Sequence, residues 1–213
     1  MNYFIRIPLN TSQEQFQKLL ALQTAFAQVC NALAPEVQKS RVWNRVTLHH
    51  LHYRALREKF PALGSQMVCN AIYAVSRTAR LIFQTPASPF SLAKLGANPL
   101  PLLQFANICP VYFDWHTLSI KGSKLSLFTL DGRMHFELTL AESQLLLFKA
   151  AKLREISLKR RLDGVFELMF WLELNAEQAG QLAIEGEASE NLSDSKRSPH
   201  SLIPEYVSVE VAA

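Results

Sequence analysis

Apolar residues recur at steps of three and four between Phe16 and Leu33, where Leu19, Leu20, Phe26, Val29 and Cys30 share a broad face. That period predicts an amphipathic helix with its apolar side toward a core. Thr11-Ser12-Gln13-Glu14 precedes it and offers a capping box, in which hydroxyl and carboxylate satisfy first-turn amides reciprocally. A short strand, residues 3–9, leads in. The helical period returns twice between Arg41 and Arg80, on either side of the turn Pro61-Ala62-Leu63-Gly64. In the first stretch Thr47 is positioned to cap, and Leu48, Leu51 and Ala55 fall on one side. In the second, Ser65 is the expected cap, and Val68, Ala71, Ile72, Val75 and Ile82 make the stripe to be buried. Three helices in succession predict one small bundle.

From residue 85 the helical period fails. Pro86, Pro89, Pro99, Pro101 and Pro110 forbid a regular helix and remove donors that a central strand needs, so residues 85–110 read as a connector. Beyond it the period becomes two. Residues 111–120 are expected to form one strand, 124–130 and 133–138 flank Asp131-Gly132, and 153–162 and 165–174 flank Asp163-Gly164. Asp-Gly suits the positive φ of tight hairpins. A short helix is expected over 141–151 and a last strand within 202–211. The stretch between 175 and 201 is rich in Glu, Ser, Gly and Ala, a composition that predicts disorder. Five or six short antiparallel strands after three helices predict an α+β chain with a small antiparallel β-barrel or curled sheet.

Charge is unevenly divided along this pattern. The chain has 213 residues, 49% of them hydrophobic, and a formal net charge of +4. Residues 39–84 hold eight basic residues against Glu58 alone, net +7; residues 149–161 hold six against one acid, net +5; residues 163–213 hold two against ten, net −8. Two basic blocks suit a polyanionic partner, because clustered Lys and Arg displace counterions from phosphates. Cys30, Cys69 and Cys109 are odd in number, widely spaced and without a CxxC, which argues against a disulfide scaffold or zinc knuckle and for a reducing compartment. The first residues lack the apolar run of a secretory signal, and no stretch reaches the ~20 apolar residues of a membrane helix. The expectation is a cytoplasmic protein without a membrane partner.

The polar positions supply candidate contacts. His50, Arg54 and Arg57 follow i, i+4, i+7 on the first helix of the hairpin, and Gln66, Asn70, Tyr73, Arg77 and Arg80 line one stripe of the second. Amides, a phenol ring and guanidinium groups on one stripe match base edges, ring faces and phosphates; an ordinary solvated basic face is the other reading. Lys149, Lys152, Lys159, Arg160 and Arg161 surround the second hairpin, either tracking a phosphate backbone or guarding an edge strand against aggregation. His49-His50-x-His52 does not make a metal site, because adjacent helical residues point ~100° apart and no carboxylate pair or thiol stands nearby. His116 and His135 read as isolated strand residues. The nucleophile-elbow, P-loop, dinucleotide-fold and HExxH signatures do not occur. The acids of the C-terminal third fall on strand faces and in the tail rather than in a cluster for metal ions. The expectation is a binding protein and not an enzyme, with no catalytic residue, cofactor or metal.

Three stretches carry a family likeness. The first is Tyr3-Phe4-Ile5-Arg6 running into Thr11-Ser12-Gln13-Glu14-Gln15, with Cys30-Asn31 later. The second is Leu48-His49-His50-Leu51-His52-Tyr53-Arg54-Ala55-Leu56-Arg57-Glu58-Lys59-Phe60, then Leu63-Gly64-Ser65-Gln66-Met67 and Asn70-Ala71-Ile72, with Gly64 where a proline is expected. The third is Leu125-Ser126-Leu127-Phe128-Thr129-Leu130-Asp131-Gly132-Arg133. Together they resemble the N-terminal half of TnpB, the RNA-guided nuclease of insertion sequences, and its type V CRISPR relatives.

The resemblance implies that residues 11–84 are a three-helix recognition lobe inserted into an oligonucleotide-binding-like wedge barrel. Residues 1–10 and 111–174 would form that barrel, 85–110 the connector and 175–213 an acidic, mostly disordered tail. The implied partners are a guide RNA scaffold or other structured RNA and the RNA:DNA duplex. The family's RuvC nuclease and zinc ribbon do not follow in this sequence, so the implied role is a non-catalytic module, working alone or beside a separate RuvC-type nuclease subunit. A protein-docking module with an aromatic-rich barrel and a transposon remnant without function are the alternatives.

Overall fold

The computed structural model describes residues 2–175 and 203–211. β1 (Asn2–Pro8) leads into α1 (Gln13–Ser40), α2 (Arg45–Lys59) and α3 (Ser65–Gln84). α4 (Leu92–Leu95), β2 (Leu102–Phe105), β3 (Val111–Phe113), β4 (Leu118–Lys121), β5 (Lys124–Thr129) and β6 (Gly132–Glu137) follow. α5 (Glu142–Ala150), β7 (Lys152–Arg160), β8 (Phe166–Glu173) and β9 (Val207–Glu210) complete a mixed α+β chain.

The strands pair antiparallel in three sheets, ordered β1-β8-β7-β3, β2-β9 and β4-β5-β6. Among the described residues they do not close into the single barrel expected from the hairpins. The expected strand over 111–120 is broken by Asp114. Its Oδ1 accepts from the amides of His116 and Thr117 at 3.1 and 3.0 Å, a side-chain turn that ends β3 and sends β4 to a different sheet. β1 pairs with β8 over Asn2↔Glu173 to Pro8↔Glu167, so the three helices lie in sequence between two neighbours of one sheet. The acidic 175–213 segment falls mostly outside the described residues; within it, β9 pairs with β2.

Local chemistry explains the helix ends, and all three caps differ from expectation. α1 begins at Ser12, whose Oγ accepts from the Gln15 amide at 3.2 Å while the Ser12 amide donates to Gln15 Oε1 at 2.9 Å. The reciprocal partner is therefore the Gln15 amide and not Glu14, because the box needs the third helical position. α1 runs through Pro35 to Ser40. α2 is capped by Asn44, which accepts from Val46 and Thr47, so Thr47 is the recipient of the cap rather than its source. Ser65 is the first helical residue of α3, Gly64 standing at the cap without a side-chain bond. In α2 only Leu48 and Leu56 are buried; Leu51, expected inside, is 61% exposed, and Ala55 is exposed as well.

The proline-rich residues 85–110 are ordered, and α1 is the reason. Gln38 and Asn31 donate to the carbonyls of Leu100 and Phe105, Gln23 to that of Cys109, and the Phe105 amide donates back to Asn31 Oδ1 at 2.7 Å. Polar side chains of a helix thus satisfy carbonyls of this segment, while β2 within it takes β9 as its strand partner. The remaining apolar faces meet in one core, in which Phe26, Ile72, Phe83, Phe166 and Phe170 are each almost wholly buried. Among the described residues no helix is long and apolar enough to cross a membrane.

Candidate nucleic-acid interface

The stripe on α3 is polar at helical spacing, yet most of it faces the protein. Gln66 Nε2 donates to Asp114 Oδ2 at 2.5 Å, and Asn70, itself buried, reaches Thr117 Oγ1 at 3.5 Å. One turn on, the Tyr73 hydroxyl donates to Glu155 Oε2 at 2.7 Å, and Arg77 Nε meets the same oxygen at 2.7 Å. Glu155 lies in a stretch of β7 covered on both faces, just after a bulge between Leu153 and Glu155 that leaves Arg154 as the extra, exposed residue. Of the five stripe residues only Arg80 is exposed. Gln66, Asn70, Tyr73 and Arg77 form a seam joining the helical hairpin to the sheet. Each of the four already has a partner within the protein, which turns this part of the stripe toward the fold rather than toward solvent.

The electrostatics of the seam follow from burial. Burial, and then the Glu155 carboxylate, push the Tyr73 phenol up to about 12. Burial likewise raises Tyr112 and Tyr206, which lie in the same cluster. For Arg77 burial opposes the charge, but the oxygens of Tyr112 and Glu155 outweigh it and hold the guanidinium above its ordinary value. Arg77 also lies 5.8 Å over the Tyr112 ring, and Arg45 5.3 Å over Tyr73. Asp114 and Glu155, the acids that bind the stripe, were not anticipated from sequence. The one available signal is that Glu155 is the single acid inside the second basic block.

The first basic block remains a surface at α2 and its flanks. His50 and Arg54 are exposed, with Arg54 making an i, i+4 pair to Glu58 at 3.2 Å while its side chain stays 94% exposed. Arg57 is half-buried and donates to the Leu63 carbonyl, closing the α2–α3 turn. Lys39, Arg41, Arg45, Lys59 and Arg80 are exposed around them. Val46 and Leu51 lie on the same helix, 63% and 61% exposed. His49 stacks on Tyr53 at 4.6 Å, so the histidine run is spread over different neighbours. Among the described residues no three His, Cys, Asp or Glu side chains converge as a metal site would require.

The second block is balanced by the strand beside it. Lys152 and Lys159 stand opposite Glu173 and Glu167 in the β7–β8 register. Arg154 pairs with Glu173, and Arg161 with Asp163 at 2.7 Å and Glu167 at 3.9 Å. Arg160 is half-buried opposite Phe166, and Lys149 is exposed near the end of α5. Cross-strand acids of this kind offset the positive field of the ribbon. Within residues 39–84 Glu58 is the one acid, and outside the Arg77–Glu155 pair the block keeps its surplus of positive charge. No family model matches the chain, and comparison with curated proteins returned no match.

Proposed function

We propose that the protein is a non-catalytic nucleic-acid-binding module that holds structured RNA or an RNA:DNA duplex by its phosphates on the exposed face of α2 and the neighbouring cations. The observation that carries this reading is the contrast between the two basic blocks: the one on the helices is exposed and almost free of acids, the one on β7 is opposed by carboxylates. Phosphate binding needs surplus, solvent-reachable cations, and their gain is counterion release. The likeness to the N-terminal half of TnpB-type nucleases, with helices following a strand that belongs to a later sheet, supports the same class of ligand. It also makes a separate RuvC-type nuclease subunit a candidate partner.

The test is a titration of an RNA hairpin and an RNA:DNA duplex at several salt concentrations. Arg54→Ala with Arg80→Ala should weaken both complexes and flatten the salt slope by about two units, roughly one per phosphate contact. Lys159→Ala with Arg160→Ala should have the smaller effect. A protein-docking role has one observation in its favour, the exposed Val46 and Leu51 on α2. Salt-insensitive behaviour, with no response to the arginine pair in a folded protein, would reject the nucleic-acid reading in favour of docking.

A further inference from the structure

The outward face of the β4-β5-β6 sheet is built differently from the helical surface. Alternation along β5 and β6 turns Leu125, Leu127, Met134 and Phe136 inward and leaves Lys124, Ser126, Phe128, Arg133 and His135 on the other face. The register sets Phe128 opposite Arg133 and Ser126 opposite His135. Arg133 does not wave in solvent. Its guanidinium lies 4.4 Å from the centre of the Phe128 ring, Nη1 donates to Ser126 Oγ at 3.1 Å, and Nη2 donates to the His116 carbonyl at 2.9 Å. The guanidinium is thus fixed by two hydrogen bonds and by the Phe128 ring, and the residue is still exposed.

Two further features extend this surface. Trp115, which precedes His116 in the turn between β3 and β4, is 49% exposed although the chain buries most of its large aromatic rings. At the far end, Lys121 and Lys124 stand directly opposite each other, with Glu137 opposite Lys124 on the next strand offsetting one of the two charges. An open hollow of about 390 Å³ beside Arg133 lies instead toward the start of α1, lined by Glu14, Lys18, Thr129, Asp131 and Met134 among others, with Lys18 paired to Glu14. From Phe128 to Lys124 the face spans roughly 13 Å at ~3.3 Å per residue.

The geometry points to a single-stranded nucleic-acid site on this sheet, with bases stacking at Arg133, Phe128 and Trp115 and phosphates passing His135 toward Lys121 and Lys124. A fixed guanidinium plane and the exposed Trp115 ring recognise the flat faces of unpaired bases, while an acidic peptide would use charge alone. This site is separate from the helical surface and takes a different form of the same polymer, so either can fail without the other.

The experiment measures binding of a labelled ten-nucleotide oligouridine and of an RNA:DNA duplex to the whole chain. Arg133→Lys keeps the charge and loses the plane; it should weaken the oligouridine about tenfold with an unchanged salt slope, and leave the duplex nearly unaffected. Trp115→Leu, at a position outside the core, carries the same expectation without disturbing the guanidinium. Photo-crosslinking of 5-iodouridine in the oligomer should label Trp115 or Phe128. Arg54→Ala with Arg80→Ala should show the opposite pattern. The inference is overturned if both sheet variants bind oligouridine like the parent, if the crosslinks fall on α2, or if polyglutamate displaces the oligomer as readily as oligouridine does.

Discussion

Glu155 shows how one residue can tie a helix to a sheet. Its carboxylate is almost fully buried, and it accepts from both Tyr73 and Arg77. Removing it strands a guanidinium whose side chain is only 25% exposed. Glu155→Ala is therefore expected to cost about 3 kcal/mol in urea unfolding, the lower part of the range for breaking a buried pair, and Glu155→Gln less, because the amide still accepts. The phenols add a pH dependence. Tyr73 is pushed up to about 12 in the folded protein, against about 10 when unfolded. The unfolded state thus loses its proton first. The stabilisation is complete below about pH 10 and is lost as the pH climbs toward 12, with Tyr112 and Tyr206 acting in the same direction. Urea midpoints should be flat from pH 8 to 9.5 and fall above pH 10. A midpoint independent of pH up to 12 would contradict the buried phenol cluster.

Among the three long helices, α2 is the one most exposed to solvent relative to its length. It buries Leu48 and Leu56, whereas α3 buries residues along its whole inner face. Its entry depends on Asn44, whose side chain accepts from two first-turn amides. Asn44→Ala should cost about 1 kcal/mol and Asn44→Gly a few tenths, read from denaturant midpoints. Amide exchange offers a second check: α2 should exchange faster than α1 and α3, since few buried apolar contacts oppose its local opening. Equal protection of the three helices would show that α2 is held by more than its two leucines. The same loose, cationic helix is suited to lie along a polyanion.

At the scale of the molecule, helices and sheets share one core, and β1 and β8 are neighbours although most of the chain separates them. Unfolding should therefore be a single transition over the described part of the chain. Phe26→Ala in α1 and Phe170→Ala in β8 remove fully buried rings, and each should cost about 3–5 kcal/mol. Far-ultraviolet dichroism, which reports the helices, and fluorescence of Trp171, which sits on β8 against Phe4, should give coincident midpoints for parent and variants. A helical transition separate from the fluorescence transition would mean that residues 11–84 fold as an independent lobe.

The apolar periods of Phe16 to Leu33 and Val68 to Ile82, and the Asp-Gly turns at Asp131 and Asp163, were enough to place α1, α3 and both hairpins, because each depends on residues a few positions apart. The sequence also determined the two basic blocks and their extent. It did not reveal that β2 would form among prolines, since its strand partner is β9, about a hundred residues later, and its flanks are held by Gln23, Asn31 and Gln38 on α1. Nor could the α3 stripe disclose its partners: Tyr73 and Glu155 are 82 residues apart and meet only in the folded chain. Likewise Arg133 becomes a fixed plane only when the fold brings the His116 carbonyl to it. Helical and strand periods encode which side of an element is apolar, a local property. Whether a polar side chain meets water, a ligand or an acid from a distant strand depends on which elements the tertiary fold packs together.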